Sequence, residues 1–596
     1  VGKSYGVVEW AKATGNPLTV FTARHDLYND YIERWEEHRM DRERIKRLPS
    51  FHYDCPTARD EDNHGESWRQ KVRARYNQGH TGPDIHKGAR EFFGEELPCQ
   101  QDGSCPYLIE RKYDPDDYHI LVGHYTHAYS WKPIKDRYVA FDEFPENDFL
   151  LEFERGAVLN AITSRVSSDD SIPYQDATDL LENTSREDQQ RILDNEFPKP
   201  GYLYERHTAA SGFVSDFIKL LFRGKRLPNR WRYYDLGEGR VIVQRPRDQA
   251  VMILDPPAVA RTYAQSVLAL DGTPTIEKWQ LLLGDDLQHS PVFKTDAEKR
   301  EYLREQLGLR LVQTSTALRP FGNRYGRSVK PDRDLALLEA IRDREGEQPG
   351  LITSKKAREM YGTDRLTPII GNVEKKSAYY GDIKGTNDFG RIRLGVIIGC
   401  PHPKDEIVEM WAALSGKSVE AATDENGERL HGMDTTFGSF GDQFLHGLRE
   451  NEVLQAAMRF GREEDESGQK GATVYIHTAA IPEWVEPEQN LVRIITWDGN
   501  KDGKRKVIEA IKEDENYQTS EWRADEIDQR IRARYSDEGE HLTIQRVRSC
   551  LAELEEEYGY LASRRGKGRG RPKLWRNVKL ETVGSYGWVS LGPEAE

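Results

Sequence analysis

Tyr138-Val139-Ala140-Phe141-Asp142-Glu143 is a run of apolar residues that ends in two adjacent carboxylates. A short apolar run bounded by polar chain reads as a strand buried on both faces, the kind found in parallel sheets. Acids at the end of such a strand suit magnesium-dependent phosphoryl transfer, where one holds the metal and the other activates water. The same residues also fit a plain strand with an exposed acidic end. Other parts of the chain must decide between the two.

The start of the chain favours the first reading. In Val1-Gly2-Lys3-Ser4, the residues Gly2, Lys3 and Ser4 match the last three positions of a phosphate loop, G-x-x-x-x-G-K-[ST]. In such a loop, backbone amides cradle phosphates at a helix N-terminus, the lysine reaches the outer phosphates and the hydroxyl holds magnesium. The following residues read as a helix from Gly6 to Thr14, a turn at Gly15-Asn16-Pro17 and a strand from Leu18 to Thr22. A charged helix is expected from His25 to Arg47. The leading glycine and the strand that carries it are expected upstream of Val1.

Three further elements follow in order. The strand Ser266 to Leu270 runs into Asp271-Gly272-Thr273-Pro274-Thr275. Gly385-Thr386-Asn387-Asp388-Phe389 precedes the apolar strand Leu394 to Gly399. Gln455-Ala456-Ala457-Met458-Arg459-Phe460-Gly461-Arg462 sets two arginines three apart, with Gln455 a turn earlier, on one expected helical face. The helix Asp334 to Arg344 and the strands Gly350 to Ser354, Leu394 to Gly399 and Thr473 to His477 alternate as in a second helix-covered parallel sheet.

This order resembles the superfamily 2 helicases over roughly residues 1–490: phosphate loop, D-E motif, a threonine-containing coupling motif, G-x-x-D and Q-x-x-x-R-x-x-R. The resemblance implies an ATP hydrolase built on two RecA-like domains. Gly2 and Lys3 would bind phosphate, Ser4 and Asp142 magnesium, and Glu143 would be the base. Gln455, Arg459 and Arg462 would act on the γ-phosphate from the second domain, and Asp388 would sit near the ribose or the cleft. Phe144-Pro145 departs from the usual end of the acidic motif, which bears on the sub-family rather than on the carboxylates.

Cys55, Cys99 and Cys105, three of only five cysteines, gather in a polar, histidine-rich stretch over residues 50–115. The XPD/DinG-like members of that superfamily carry an iron–sulfur cluster in this interval and a helical insertion after the acidic motif, and this chain has insertions in both places. Three cysteines need a fourth ligand, which is expected from His52, His64 or another nearby histidine. The donor set leaves zinc and an iron–sulfur cluster both open. His119, His124 and His127 read as structural, and Cys400 and Cys550 as core residues.

Composition bounds the remainder. A chain of 596 residues is too long for one core, and its 10% aromatic content with 12 Trp excludes a disordered chain. Without an apolar run of membrane-spanning length or a signal-peptide pattern, a cytoplasmic protein with no membrane partner is expected. The net charge of -15 fits a halophile's strongly hydrated surface. Basic residues nevertheless cluster in the tail, where Arg564, Arg565, Lys567, Arg569, Arg571 and Lys573 occur with no acid among them.

Helices at Lys504 to Lys512, Ala524 to Tyr535 and Thr543 to Tyr560, followed by this basic stretch, resemble a winged helix-turn-helix. Gly568-Arg569-Gly570-Arg571-Pro572 resembles an AT-hook core suited to a narrow minor groove. The expected organisation is α/β. A RecA-like domain over 1–320 carries the 50–115 insertion and a helical insertion at 147–235. A second RecA-like domain spans 321–495, and a winged helix 500–580. The expected activity is that of an ATP-dependent helicase or translocase acting on single-stranded or forked DNA. The alternative is an ATP-switched winged-helix regulator that does not unwind.

Overall fold

The structure is a computed structural model. It describes residues 3–23, 27–37, 41–59, 67–77, 80–101, 103, 105–145, 148–168, 172–194, 210–320, 329–383, 388–464, 468–496, 503–535, 542–556, 559–565, 572–578, 580 and 584–591. The fold is α/β. The chain divides into two compact units, one formed by 1–292 with 403–447 and the other by 293–402 with 448–596.

In the first unit a five-stranded parallel sheet has the spatial order Ser266–Leu270, Tyr138–Asp142, Leu18–Thr22, Ile120–His124, Ile45–Arg47. Every residue of Leu18–Thr22 is buried, as a central strand covered on both faces requires. Arg137 fastens the amino-terminal edge of this sheet. It is only 3% exposed and donates to the Thr19 hydroxyl and to the carbonyls of Leu18, His119, Pro115 and Tyr118. Burial lowers its pKa to about 10, but those acceptors satisfy the buried guanidinium.

Two sequence expectations change here. The charged segment is not a single helix to Arg47: a helix spans Leu27–Glu37 and buries Tyr28, Tyr31, Ile32 and Trp35. A short 3-10 turn, Arg42–Arg44, then leads into the edge strand Ile45–Arg47. The expected helical insertion proves to be mixed. The helices Arg155–Ser167, Ala177–Asn183, Arg186–Asp194 and Val214–Arg223 pack with an antiparallel five-stranded sheet. Its order is Leu150–Phe153, Val251–Leu254, Arg240–Gln244, Arg232–Gly237, Lys225–Arg226. The tight Gly237-Glu238-Gly239 turn, with positive φ at all three residues, folds the Arg232–Gly237 strand back on Arg240–Gln244.

The second unit holds a six-stranded sheet, entirely parallel, in the order Ser377–Tyr379, Gly350–Thr353, Leu394–Ile398, Ala472–His477, Leu309–Gln313, Glu488–Gln489. Leu309–Gln313, inside the 1–320 span expected for the first domain, is a strand of this second sheet. Pro331–Glu345 covers one face and buries Leu335, Leu337, Leu338 and Ile341. Two parallel sheets with helical cover match the pair of RecA-like domains expected from sequence.

After the sheet, the helices Gly503–Lys512, Ala524–Arg534 and Ile544–Glu556 enclose their own core with a small antiparallel sheet of Glu521–Trp522, Lys573–Asn577 and Leu561–Arg565. Cys550 lies in that core, and Cys400 in the core of the parallel sheet, both fully buried. The final strand, Gly587–Leu591, returns to pair antiparallel with Val492–Thr496. Among the described residues no helix is long and apolar enough to cross a membrane.

Candidate functional site

Asp142 ends its strand at the carboxyl edge of the first sheet, in register with Thr22 on one side and Leu270 on the other. Carboxyl edges of parallel strands are where open α/β sheets receive ligands. The helix Lys3–Thr14 begins beside this edge, and the Ser4 hydroxyl lies 3.5 Å from Asp142 Oδ2 across 138 residues of sequence. The hydroxyl and carboxylate expected to share a magnesium ion are thus brought together. Of the other phosphate-loop residues, Gly2 and the side chain of Lys3 lie outside the described residues.

Two tyrosines missed by the sequence reading organise the acids. Tyr31 donates to Asp142 Oδ2 at 2.7 Å, and its own pKa is raised by burial and by that carboxylate. Tyr125 donates to the carbonyls of Asp142 and of Glu143, the latter at 2.8 Å. Glu143 has a φ of 70°, an uncommon conformation for a non-glycine residue. Its N–H donates to the Leu270 carbonyl at 3.0 Å. Tyr125 and Leu270 therefore hold the second acid turned out of the strand, at a backbone cost of order 1–3 kcal/mol. Tyr31 shares a helical face with Tyr28, Ile32 and Trp35, so its sequence spacing signalled core and concealed the useful hydroxyl.

The departure at Phe144 also has a local cause. Its ring packs edge-on against Trp279 and Trp411, at 5.1 and 5.7 Å between centroids. Trp411 belongs to the 403–447 segment, which is anchored on the insertion by Asn229 donating to the Val419 carbonyl and Trp231 to Glu409, each at 3.0 Å.

In the second unit the expected helical face carrying both arginines is corrected. The helix Glu450–Ala457 ends before Arg459. Phe460 must insert beneath the sheet, against Gly350, Gly395 and Phe389, and a continuous helix would not place it there. Gly461, with a φ of 65°, completes the turn against the Gly471 backbone. Gln455 sits on the last helical turn, while Arg459 is buried in the turn and Arg462 half-buried beyond it, its Nε donating to the Met458 carbonyl.

Asp388 is exposed, and its segment is stapled to the arginine turn. The Gly461 N–H donates to the Ile392 carbonyl at 3.1 Å, the Glu463 N–H to the Gly390 carbonyl at 3.0 Å, and Arg391 pairs with Glu463 at 3.1 Å. Gly385, Thr386 and Asn387 lie outside the described residues.

Cys55, Cys99 and Cys105 converge with a histidine, and it is His86 rather than His52. Cys55 caps the one-turn helix Phe51–Asp54 and turns inward. His52, one turn earlier, is exposed and stands edge-on to Tyr76 at 4.6 Å. The four buried donor atoms all lie within 4.8 Å of one another, the donor set of a transition-metal site. The hydrogen bond with Cys55 holds the Cys99 thiol well below an ordinary cysteine, with His86 and Thr57 adding to the effect. His64 lies outside the described residues. His119 and His127 donate to the backbone carbonyls of Ala11 and Pro49, and His124 lies against Thr126 and Asp148.

Of the basic tail, Arg564 is exposed and pairs with Glu521, and Lys573 pairs with Glu555 at 2.7 Å. Lys567, Arg569 and Arg571, and the side chain of Arg565, lie outside the described residues.

No family model matches the chain. No curated protein matches it either. Among solved structures, Xpd4 of S. tokodaii is similar at 10% identity and a TM-score of 0.35, over 82% of this chain and 93% of that one. At that likeness no residue of this chain takes its role from it.

Proposed function

We propose that the chain is the motor of an ATP-dependent nucleic-acid helicase or translocase, most suited to DNA. The observation that carries the reading is the approach of the Ser4 hydroxyl to Asp142 at the carboxyl edge of a parallel sheet, with Glu143 held out of the strand beside it. In this reading Lys3 binds phosphate, and Ser4 and Asp142 hold magnesium. Glu143 takes the proton from the water that attacks the γ-phosphorus, and the bond to ADP breaks. Arg459 and Arg462 neutralise charge on the transferring phosphoryl group, Gln455 orients beside them, and Asp388 contacts the nucleotide. Closure of the two RecA-like domains on ATP would drive stepping along a strand.

The three helices and small antiparallel sheet of the tail serve as a winged helix, with Arg564, Arg565, Lys567, Arg569, Arg571 and Lys573 contacting phosphates or the minor groove. ATP hydrolysis by the full-length protein, measured with and without single-stranded DNA, tests the motor. Stimulation together with strand separation supports it. Hydrolysis that ignores single strands and separates nothing leaves the ATP-switched regulator. For the tail, Arg569→Ala with Arg571→Ala should lower the salt slope of DNA binding by about 1 to 2; an unchanged slope excludes the contact.

A further inference from the structure

The fold resemblance drawn from sequence implies an iron–sulfur cluster in the cysteine segment, and the geometry of the four donors tests that implication. Cys55 Sγ lies 3.7 Å from Cys99 Sγ and 3.7 Å from His86 Nε2, and Cys99 Sγ lies 3.5 Å from His86 Nε2. No donor pair exceeds 4.8 Å. A tetrahedral zinc ion, with Zn–S of about 2.3 Å and Zn–N of about 2.0 Å, sets its ligands about 3.8 Å apart for S–S and about 3.6 Å for S–N. A four-iron cube puts each ligand on a different iron, which spreads the donors to roughly 6 Å. The pocket has the size of one ion. It does not fit the cube.

We infer that Cys55, His86, Cys99 and Cys105 bind a single zinc ion as a closed structural site, and that this chain holds no iron–sulfur cluster there. The chemistry around the donors agrees. His86 Nδ1 is 2.6 Å from the Gly82 carbonyl, so its proton is committed to that acceptor and the Nε2 lone pair faces the sulfurs. The carbonyl comes this close because position 82 has no side chain: a Cβ there would stand 2.8 Å from the Tyr107 hydroxyl and 2.9 Å from the Phe51 ring. The Cys99 N–H donates to Thr57 Oγ1 at 3.1 Å, which fixes the short helix Pro98–Gln101 against the segment that follows Cys55.

The surrounding fold needs such a crosslink. Among the described residues, the segment 51–110 folds as helices, most of only four to six residues, far below the length at which a helix sustains itself. Their separate core is small, and three of its ten buried members are the cysteines themselves. Segments of this size depend on a metal or another crosslink. All four ligand positions come from the protein, which leaves no open site for catalysis, and zinc cannot cycle electrons. The ion therefore has a folding role. It crosslinks the insertion internally, and Lys46 with Glu110 and Arg47 with Asp54 tie that insertion to the sheet that carries Asp142.

The test is metal analysis of the full-length protein purified without oxygen, with its visible spectrum, and it does not depend on ATP hydrolysis. We expect about one zinc per chain, negligible iron and a colourless protein. Cobalt supplied during expression should give the visible bands of a tetrahedral sulfur-rich site. Cys99→Ser and His86→Ala should lose the metal, while His52→Ala retains it. A brown protein with about four irons per chain would overturn the inference. So would a folded wild-type protein with neither metal, or a His52→Ala variant that alone loses the zinc. Failure of the motor reading would leave the metal content unchanged.

Discussion

An arginine network lies at one edge of each parallel sheet, the amino-terminal edge in the first unit and the carboxyl edge in the second. In the first unit Arg137 closes the amino-terminal edge by donating to carbonyls and a hydroxyl, with no acid among its hydrogen-bond acceptors. In the second, Arg319 fills the carboxyl edge, where it pairs with the fully buried Asp334 and donates to His477 Nε2. Tyr361 adds a 2.8 Å bond to Asp334, and His477 Nδ1 lies 2.9 Å from the Thr314 hydroxyl. The first arrangement leaves the carboxyl edge to Ser4, Asp142 and Glu143. The second occupies the corresponding edge with its own structural network, and the arginines expected to act on phosphate are carried by a turn beside the sheet. The carboxyl edge of the first sheet is thereby left open for the nucleotide site proposed above, whereas that of the second is filled.

The largest effect expected from breaking this asymmetry is on chemistry. Glu143→Gln should reduce ATP hydrolysis roughly 10²- to 10⁴-fold, the usual worth of a general base, while nucleotide binding persists. An unreduced rate would make the acid edge of the first sheet structural. Next comes the amino-terminal edge. Arg137→Met removes the hydrogen bonds donated to four carbonyls and to Thr19, and chemical denaturation should show a loss of about 3 kcal/mol. A loss under about 1 kcal/mol would mean that water replaces the guanidinium.

The smallest effect is on pH dependence, and it sharpens the contrast. Burial, with Arg319 and Arg333 nearby, holds His477 well below its ordinary value of 6.5. Because its folded pKa is depressed, the unfolded chain binds the proton first as the pH falls. Stability from the neutral imidazole is thus present above about 6.5 and declines below it. Asp334 opposes this in part, since burial raises its pKa and it takes up a proton more readily when folded. Melting curves between pH 7.5 and about 5.5 should show His477→Gln flattening the decline, whereas Arg137→Met leaves its slope unchanged.

How much of this was legible in sequence follows from where the information lies. Tyr138 to Glu143 announced both strand and acids because burial on two faces leaves a continuous apolar run. Two parallel sheets could be read for the same reason. The edge strand Ile45–Arg47 could not, since three residues in a charged stretch carry no period. The Gln-Arg-Arg element was visible as residue types but not as geometry, because the need to bury Phe460 overrides helical spacing. Cys55, Cys99 and Cys105 were singled out by their rarity, yet the fourth donor, His86, is 31 residues from Cys55, and only the fold chooses among nearby histidines. The hydroxyls of Tyr31 and Tyr125 left no sequence signal, since an aromatic residue at core spacing looks the same with or without a polar task.

The proposed motor requires that Asp142 and Glu143 and the pair Arg459 and Arg462 all act on the same ATP. Measuring magnesium-dependent ATP affinity and hydrolysis together, in Asp142→Asn and in Arg459→Lys with Arg462→Lys, tests it most directly. The account predicts that Asp142→Asn loses magnesium-dependent affinity, whereas the arginine variants keep affinity and lose hydrolysis by roughly 10³-fold or more. Wild-type hydrolysis in folded arginine variants would contradict it.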